Sequence, residues 1–473
     1  MTTLPSPFAG WFTARGWTPR PHQLALLKAA AANESVLLIA PTGGGKTLAG
    51  FLPSLMELAA DPTPRLHTLY VSPLKALATD IARNLAAPVR EMNLPVAIEM
   101  RTGDTPANRR TRQREHPPHI LLTTPESLAI LLSMPEPARM FGRLRTLVLD
   151  EVHAIAGTKR GDQLALCAER LVSMAPGLRR VGLSATVAHR GAIQAFVGAT
   201  HRIEVADGAP PGLTMQLPAG PLAWSGHMAL EAAPEVMVRI RAANRTIVFV
   251  NTRAQAELMF NALWKLNDPT LPIALHHGSL EVEQRRRVEA AMAEGRLRAV
   301  VATSSLDLGI DWGGVDQVIQ VGAPKGVSRL LQRVGRANHR MDEPSRAVLV
   351  PANRFEVLEC EAAMLGVAAH DLDGDPPRPG GLDVLAQHLL GMACAGPFLP
   401  DTAYPEVTRA APYAALSRQD FDDALSFVEN GGYALAAYER YRKLFRDAEG
   451  RVHVRSERIA RQHRMNIGTI VAA

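Results

Sequence analysis

Between Ser35 and Leu48 the chain reads "SVLLIAPTGGGKTL", and this stretch limits the fold more than any other. A glycine-rich turn between an apolar run and a helix start points backbone N–H groups at phosphate oxygens. Thr42, Gly43, Gly44 and Gly45 would form the cradle, Lys46 would reach the terminal phosphates, and the Thr47 hydroxyl can hold Mg²⁺. Ala40 stands where the motif usually begins with glycine. The run before the turn has no polar side, so it is expected to be a strand buried on both faces, as in a parallel sheet covered by helices.

The same rhythm recurs. From Ser35 to Thr186 the short apolar runs "SVLLIA", "HTLYVS", "HILLTT", "TLVLDE" and "RRVGLSAT" alternate with helical patterns. A Gly/Pro-rich patch, "DGAPPGLTMQLPAGP" from Asp207 to Pro221, interrupts them. The rhythm then resumes with "RTIVFVNT", "IALHHGS", "RAVVATS", "DQVIQVG" and "RAVLVPA". For 473 residues a prior of about three domains applies. The reading is α/β: two tandem units with parallel sheets, residues 1–208 and 209–350, and a third, α+β unit over 351–473. In the third, Ser417 is placed to cap a helix and Gly431 and Gly432 to end it, and "DAEG" marks a hairpin turn. Helices followed by a hairpin suit a winged-helix module. The final apolar run, 467–473, reads as a strand with nothing after it to pair with, so a longer protein cut within this module is expected.

Composition narrows the function classes. No continuous apolar stretch approaches the ~18 residues of a membrane span, and "MTTLPSPFAGWF" lacks the order of a signal peptide, so a soluble, cytoplasmic protein is expected. Cys167, Cys360 and Cys394 are the only cysteines, and none has the C-x-x-C spacing of zinc or dithiol chemistry. The net charge is +6, and only seven of the 52 basic residues are lysines. Arginine suits phosphate through its planar fork of donors, although such a bias also arises from genomic composition.

In "LRTLVLDEVHAIAG", Leu144 to Gly157, an apolar run ends in two adjacent carboxylates. Placed beside the phosphate loop, Asp150 would orient Mg²⁺ and Glu151 would polarise the attacking water. The bland alternative is a strand end whose acids cap a turn. Zinc fails on spacing, because His153 has no second histidine on its helical face. The basic runs Arg109–Arg114 and Arg285–Arg287 read either as solvated helix faces or as nucleic-acid contacts.

"APTGGGKT", "DEVH", "SAT" at Ser184 to Thr186 and "QRVGRANHR" at Gln332 to Arg340 resemble motifs I, II, III and VI of superfamily 2 helicases, in the same order. "SPLKALATD" from Ser72, "RTGDT" from Arg101, "TTPESL" from Thr123, "VNTR" from Val250, "HHGS" from His276, "ATSSLDLGIDWGGVD" from Ala302 and the closing "RMNIGTIV" resemble the large helicase-related (Lhr) family. "GTKRGDQLA" and the tail are similar to its DNA ligase-associated branch. The resemblance implies two RecA-like domains with ATP and Mg²⁺ between them, a winged helix behind, and single-stranded nucleic acid across their top.

It also implies roles for single residues. Gln23, in "WTPRPHQ", would read the adenine edge, and Asp311 would meet the ribose or phosphates. Arg336 would be the arginine finger, supported by Arg333 and Gln332. Many superfamily members read QRxGRxGR, whereas Asn338 and His339 stand here with Arg340 displaced by one. His153, Ser184 and Thr186 would couple nucleotide to strand. Ser72, Arg101, Thr123, Thr124, Arg253, His277 and Thr303 would track the strand backbone without reading bases.

The expected function is an ATP-dependent 3′-to-5′ single-stranded DNA translocase that unwinds DNA or DNA–RNA duplexes in repair. It would be nucleoid-associated, with DNA ligase and nuclease partners. An RNA-directed ATPase that remodels ribonucleoprotein shares the motors, and a non-catalytic nucleic-acid clamp would share the fold.

Overall fold

In the computed structural model the described residues are 4–41, 43–205, 209–226, 228–267, 270–307, 314–337, 344–374, 378–432, 435 and 437–468. The apolar runs of the first half become strands of one parallel sheet. β1 (Val36–Ile39), β2 (Thr68–Val71), β3 (Ile98–Arg101), β4 (Ile120–Thr123), β5 (Thr146–Leu149), β6 (Arg179–Ser184) and β7 (His201–Glu204) lie in the order β3-β4-β2-β5-β6-β1-β7. A second parallel sheet follows, with β8 (Gly212–Met215), β9 (Thr246–Phe249), β10 (Ile273–His276), β11 (Ala299–Ala302), β12 (Gln317–Val321) and β13 (Arg346–Val350) in the order β10-β11-β9-β12-β13-β8. These are the two RecA-like domains. In a parallel sheet all carboxyl ends share one edge, so the motif-bearing loops after the strands gather there.

Three strands lie outside the runs that the sequence offers. β3, β7 and β8 are all edge strands, and β7 and β8 alternate between exposed and half-buried residues. An edge strand is not covered on both sides, so it has no need of a continuous apolar run. β8 sits inside the Gly/Pro-rich patch expected to interrupt the pattern, and it pairs with β13.

The third, winged-helix domain has helices Leu382–Ala395, Pro400–Thr408 and Arg418–Asn430, then a hairpin of β14 (Leu444–Arg446) and β15 (Val452–Val454). Ser417 caps the third helix by accepting the N–H of Asp420 at 3.0 Å, and Gly431 ends it with φ 84°. Glu457–Asn466 is a further helix, not foreseen. Ile467 and Gly468 follow it without joining a strand, and the rest of the expected final strand lies outside the described residues.

This domain docks on the first. Val384, Leu385 and Leu389 of helix Leu382–Ala395 and Phe421 of helix Arg418–Asn430 share one core with Leu128, Leu164 and Leu171, from helices Pro125–Leu132 and Lys159–Met174. Each fully buried leucine contributes about 1.5–3 kcal/mol, so the seam is a stable one. Lys159 with Asp383 (2.7 Å), Gln163 with Gln387 (3.0 Å) and Arg378 with Asp162 (3.0 Å) rim it. Among the described residues no helix is long and apolar enough to cross a membrane, and the three cysteines are buried and free.

Candidate functional site

β1 runs into the phosphate loop, and helix Lys46–Ala60 leaves it. Gly45, at φ 74°, occupies the left-handed region that glycine favours, and a Cβ on Gly44 would lie 2.9 Å from the Pro41 carbonyl oxygen. Lys46 Nζ donates to the Ala40 carbonyl at 2.8 Å. Burial lowers the pKa of its ammonium, against the opposing pull of Glu151 and Asp150. Lys46, Thr47 and the three glycines line a cleft of about 670 Å³ with Asp150, Glu151 and Arg336. Thr42 lies outside the described residues.

The segment before helix Pro21–Ala31 braces this loop. Arg20 Nη1 donates to the Gly43 carbonyl at 3.2 Å, and His22 hydrogen-bonds the backbone of Gly44. Gln23 Oε1 accepts the Arg20 N–H at 2.9 Å, and its amide nitrogen abuts Gly45. Gln23 therefore backs the loop and does not line the cleft. Trp11, Arg15 and Trp17, which the sequence reading passed over, do line it. Arg15 lies over both indoles, 4.9 and 5.2 Å from their centroids, and pairs with Glu91. The crowding of two tryptophans and an arginine just before "PRPHQ" was the available signal.

β5 delivers the carboxylates. Asp150 Oδ1 accepts the Glu151 N–H at 2.8 Å, and Oδ2 accepts the Tyr70 hydroxyl at 2.6 Å, a partner not foreseen. Burial, with the neighbouring Glu151 carboxylate, holds the Asp150 carboxyl up at about 6. Burial also pushes the Glu151 carboxyl up, but His153, Lys46 and Arg336 outweigh it and keep its pKa below the usual value. Glu151 sits at φ 47°, a left-handed conformation that costs a residue with a side chain about 1–3 kcal/mol and that clusters at working sites. His153 Nδ1 accepts the Ala185 N–H at 3.3 Å and lies 3.3 Å from Ser184 Oγ, while Nε2 is 3.4 Å from Glu151. With Nδ1 accepting, Nε2 faces Glu151, and burial lowers the pKa of the ring against the opposing pull of that carboxylate. The expected coupling residues His153 and Ser184 thus meet. Thr186, two residues on, is half-buried.

The second domain presents its arginines from helix Val327–Val334 and the turn after it. Arg336, 6% exposed, faces the cleft and bears electrostatically on Lys46 and Glu151. Arg333, expected beside it, is instead buried within its own domain. It donates to Asp307 Oδ1 at 2.8 Å and Gln320 Oε1 at 2.6 Å and lies over the Phe249 ring at 4.8 Å. Gln332 is half-buried and does not line the cleft. Asp311, Asn338, His339 and Arg340 lie outside the described residues.

The expected strand-tracking residues collect at the carboxyl edges of β2, β3 and β4 and of β9, β10 and β11. Most of their side chains turn inward. Thr123 Oγ1 donates to the Arg101 carbonyl at 2.8 Å, Thr123 O accepts the Ser72 N–H at 3.1 Å, and Thr124 caps helix Pro125–Leu132. Arg101 Nη1 donates to the Arg110 carbonyl at 2.8 Å, and burial lowers the Arg101 pKa to about 10. His277 lies 3.3 Å from Glu257, and the Thr303 N–H donates to the His276 carbonyl at 3.3 Å. Arg253, at the start of helix Arg253–Lys265, is exposed. A second cleft of about 840 Å³ between the domains is lined by Lys75, Arg83, Arg109, Arg285 and Arg286 among others. The basic runs are partly neutralised: Arg109 and Arg112 pair with Glu99, Arg287 with Glu283, and Arg286 lies 3.7 Å from Asp104 across the gap.

Comparison with known proteins agrees with this layout. The family model for DEAD/DEAH box helicases matches residues 20–194, the helicase conserved C-terminal domain 229–341, and the winged helix domain of large helicase-related protein 366–473. The ATP-dependent helicase Lhr-Core protein 2 of Thermococcus barophilus is 35% identical over 99% of this chain and 57% of its own length. The Lhr helicase/probable uracil glycosylase of Mycolicibacterium smegmatis is 36% identical over 91% of this chain and 32% of its own. The chain thus spans well under two thirds of these relatives. The solved structure of Mycobacterium smegmatis helicase Lhr, bound to ssDNA and AMP-PNP, superposes with a TM-score of 0.88 at 36% identity, covering 98% of this chain and 62% of that one. The helicase MrfA bound to DNA shares the fold, with a TM-score of 0.79 at 23% identity over 98% of this chain and 64% of its own. Two helicase motors end to end occur widely, but the winged-helix match continues them with a domain particular to one group: the chain belongs to the large helicase-related (Lhr) family of superfamily 2 helicases.

Proposed function

We propose that the chain is an ATP-driven translocase that moves 3′ to 5′ along single-stranded DNA and unwinds DNA or DNA–RNA duplexes in repair, alongside ligase and nuclease partners. The observation that carries this reading is Arg336: a cation from one domain shares one cleft with Lys46, Asp150 and Glu151 of the other. ATP phosphates at the loop would meet backbone N–H groups and Lys46, and Arg336 would offset the charge that develops on the γ-phosphate. Glu151, its charge favoured by Lys46 and Arg336, would orient the attacking water. The raised Asp150 carboxyl fits an Mg²⁺ ion, since a divalent cation held by Asp150 and Thr47 would relieve the cost of two adjacent buried carboxylates. Mg²⁺ would supply charge neutralisation and orientation of the phosphates. Hydrolysis would weaken the hold between the domains, and strand contacts on the two edges would then alternate. The binding of ssDNA and AMP-PNP by the Mycobacterium smegmatis relative supports the choice of ligands.

The test is strand displacement on 3′-tailed and 5′-tailed duplexes, both DNA and DNA–RNA, together with ATP turnover stimulated by DNA or RNA strands of equal sequence. Unwinding from the 3′ tail alone and stimulation by DNA are expected. Unwinding from the 5′ tail would reverse the polarity, and stimulation by RNA in preference to DNA would replace the substrate.

A further inference from the structure

Tyr70 belongs to the apolar run "HTLYVS" and reads in the sequence as core. It is fully buried, with its ring 5.4 Å from Phe51 between centroids. A phenylalanine would fill that space without a hydroxyl to satisfy, so the hydroxyl calls for its own explanation. It donates to Asp150 Oδ2 at 2.6 Å, while Asp150 Oδ1 is held by the Glu151 N–H at 2.8 Å. With both oxygens anchored, the carboxylate is fixed in orientation before any cation binds. Partners of this kind orient metal ligands and tune their affinity.

The phenol has a second neighbour. Ser72, two residues on and so on the same face of the strand, reaches the same phenol oxygen with its hydroxyl. Ser72 Oγ accepts the Leu74 N–H at 3.3 Å and lies 3.1 Å from the Leu74 carbonyl, so its single proton serves either that carbonyl or the phenol oxygen. Leu74 caps helix Lys75–Glu91, whose first residue, Lys75, lines the cleft between the domains and pairs with Asp104 at 3.0 Å. One short chain of side chains thus runs from the nucleotide cleft to the loop expected to track the strand. It is separate from the contact of His153 with Ser184.

We propose that Tyr70 is a positioning residue that fixes Asp150 for a divalent cation and, through Ser72, ties that carboxylate to the strand-tracking loop, so that metal–nucleotide and strand strengthen each other's binding. This rests on the functional reading above.

The test uses the full chain, Mn²⁺ as an EPR-visible probe, AMP-PNP and an oligo-dT strand. The wild-type chain is measured first. If it fails to bind Mn²⁺ with AMP-PNP, or binds them equally with and without the strand, the reading of the cleft itself falls. Given wild-type binding and coupling, Tyr70→Phe should weaken Mn²⁺ in the AMP-PNP complex by about tenfold or more. It should also shrink the strand's effect on that affinity, an effect of about 5- to 150-fold in coupled sites generally. Ser72→Ala keeps the phenol and should shrink the strand's effect on Mn²⁺ affinity by more than it weakens strand binding measured without nucleotide. Wild-type Mn²⁺ affinity and coupling in Tyr70→Phe, even with a lower melting temperature, would show a purely structural tyrosine and overturn the proposal. Should Tyr70→Phe not fold, wild-type coupling in Ser72→Ala overturns the bridge and reduced coupling supports it.

Discussion

The nucleotide cleft and the strand edge occupy the same kind of place, loops at the carboxyl ends of parallel strands, yet they present their motif residues in opposite ways. In the cleft, Lys46, Asp150, Glu151 and Arg336 gather their charged groups, with Asp150 and Arg336 buried and Lys46 and Glu151 half-buried. On the strand edge, Ser72, Thr123, Thr124 and Arg101 turn inward and hold neighbouring backbone. Under the proposed function, a motif residue in the cleft is a chemical tool. On the edge it is a brace, and a strand would meet the backbone it shapes and the exposed arginines.

The sharpest test of this contrast lies within one motif. Arg336→Ala should leave AMP-PNP binding largely intact while ATP turnover falls by about 10³ or more, the scale of arginine fingers. Retained turnover in that variant would remove Arg336 from the chemistry. Arg333, three residues earlier, should behave as a brace. Its loss leaves Asp307 buried, with Arg329 at 3.6 Å as its remaining cation among the described residues, and breaking such a pair typically costs about 3–5 kcal/mol. Urea unfolding of Arg333→Ala should show that loss of stability. A variant as stable as wild type but inactive would instead put Arg333 at the phosphates.

These two arginines also show what the sequence discloses. Type and spacing announce a basic motif, but they cannot say which side chain faces the other domain, because that depends on how the helix Val327–Val334 ends. Interior strands were legible since burial on both faces forces apolar runs; β3, β7 and β8 escaped because an edge relaxes that demand. The phosphate loop and the carboxylates were legible because glycine conformation and charge leave few uses for such residues. Tyr70 was not, since a phenol inside an apolar run differs from core only through the carboxylate opposite it. Helix Glu457–Asn466 escaped for the reverse reason: it buries only Ala460 and His463, too little to set a pattern.

A third region extends the comparison to stability. At the seam between the first domain and the winged helix, burial holds His463 at about 4 and His388 at about 3. Burial is the main cause for both; Arg464 and Lys443 add to it at His463, and Arg170 and His463 at His388. A pKa depressed below the unfolded value of about 6.5 means that the neutral ring stabilises the fold above that pH and that this contribution is lost as pH falls. Each site can remove up to about 1.4 kcal/mol per pH unit between about 6.5 and its folded value. Melting temperature should therefore fall between pH 6.5 and 4, and His463→Leu should flatten the decline. An unchanged slope in that variant would place the acid sensitivity outside the seam.

The smallest expected effect divides brace from contact most cleanly. Thr123→Val keeps the shape of the side chain but removes the 2.8 Å hydrogen bond to the Arg101 carbonyl. The net value of such a bond is about 1 kcal/mol, so single-strand affinity should fall no more than about fivefold. Because no phosphate contact is lost, the slope of log affinity against log salt should stay at its wild-type value. Arg253 is exposed at the start of its helix, and Arg253→Ala should lower that slope by about 0.7, the contribution of one contact to a single strand. Two variants with similar loss of affinity at one salt concentration would then separate on a salt titration. If Thr123→Val also lowered the slope, the threonine would be a phosphate ligand, and the contrast between the two edges of the molecule would fail at that residue.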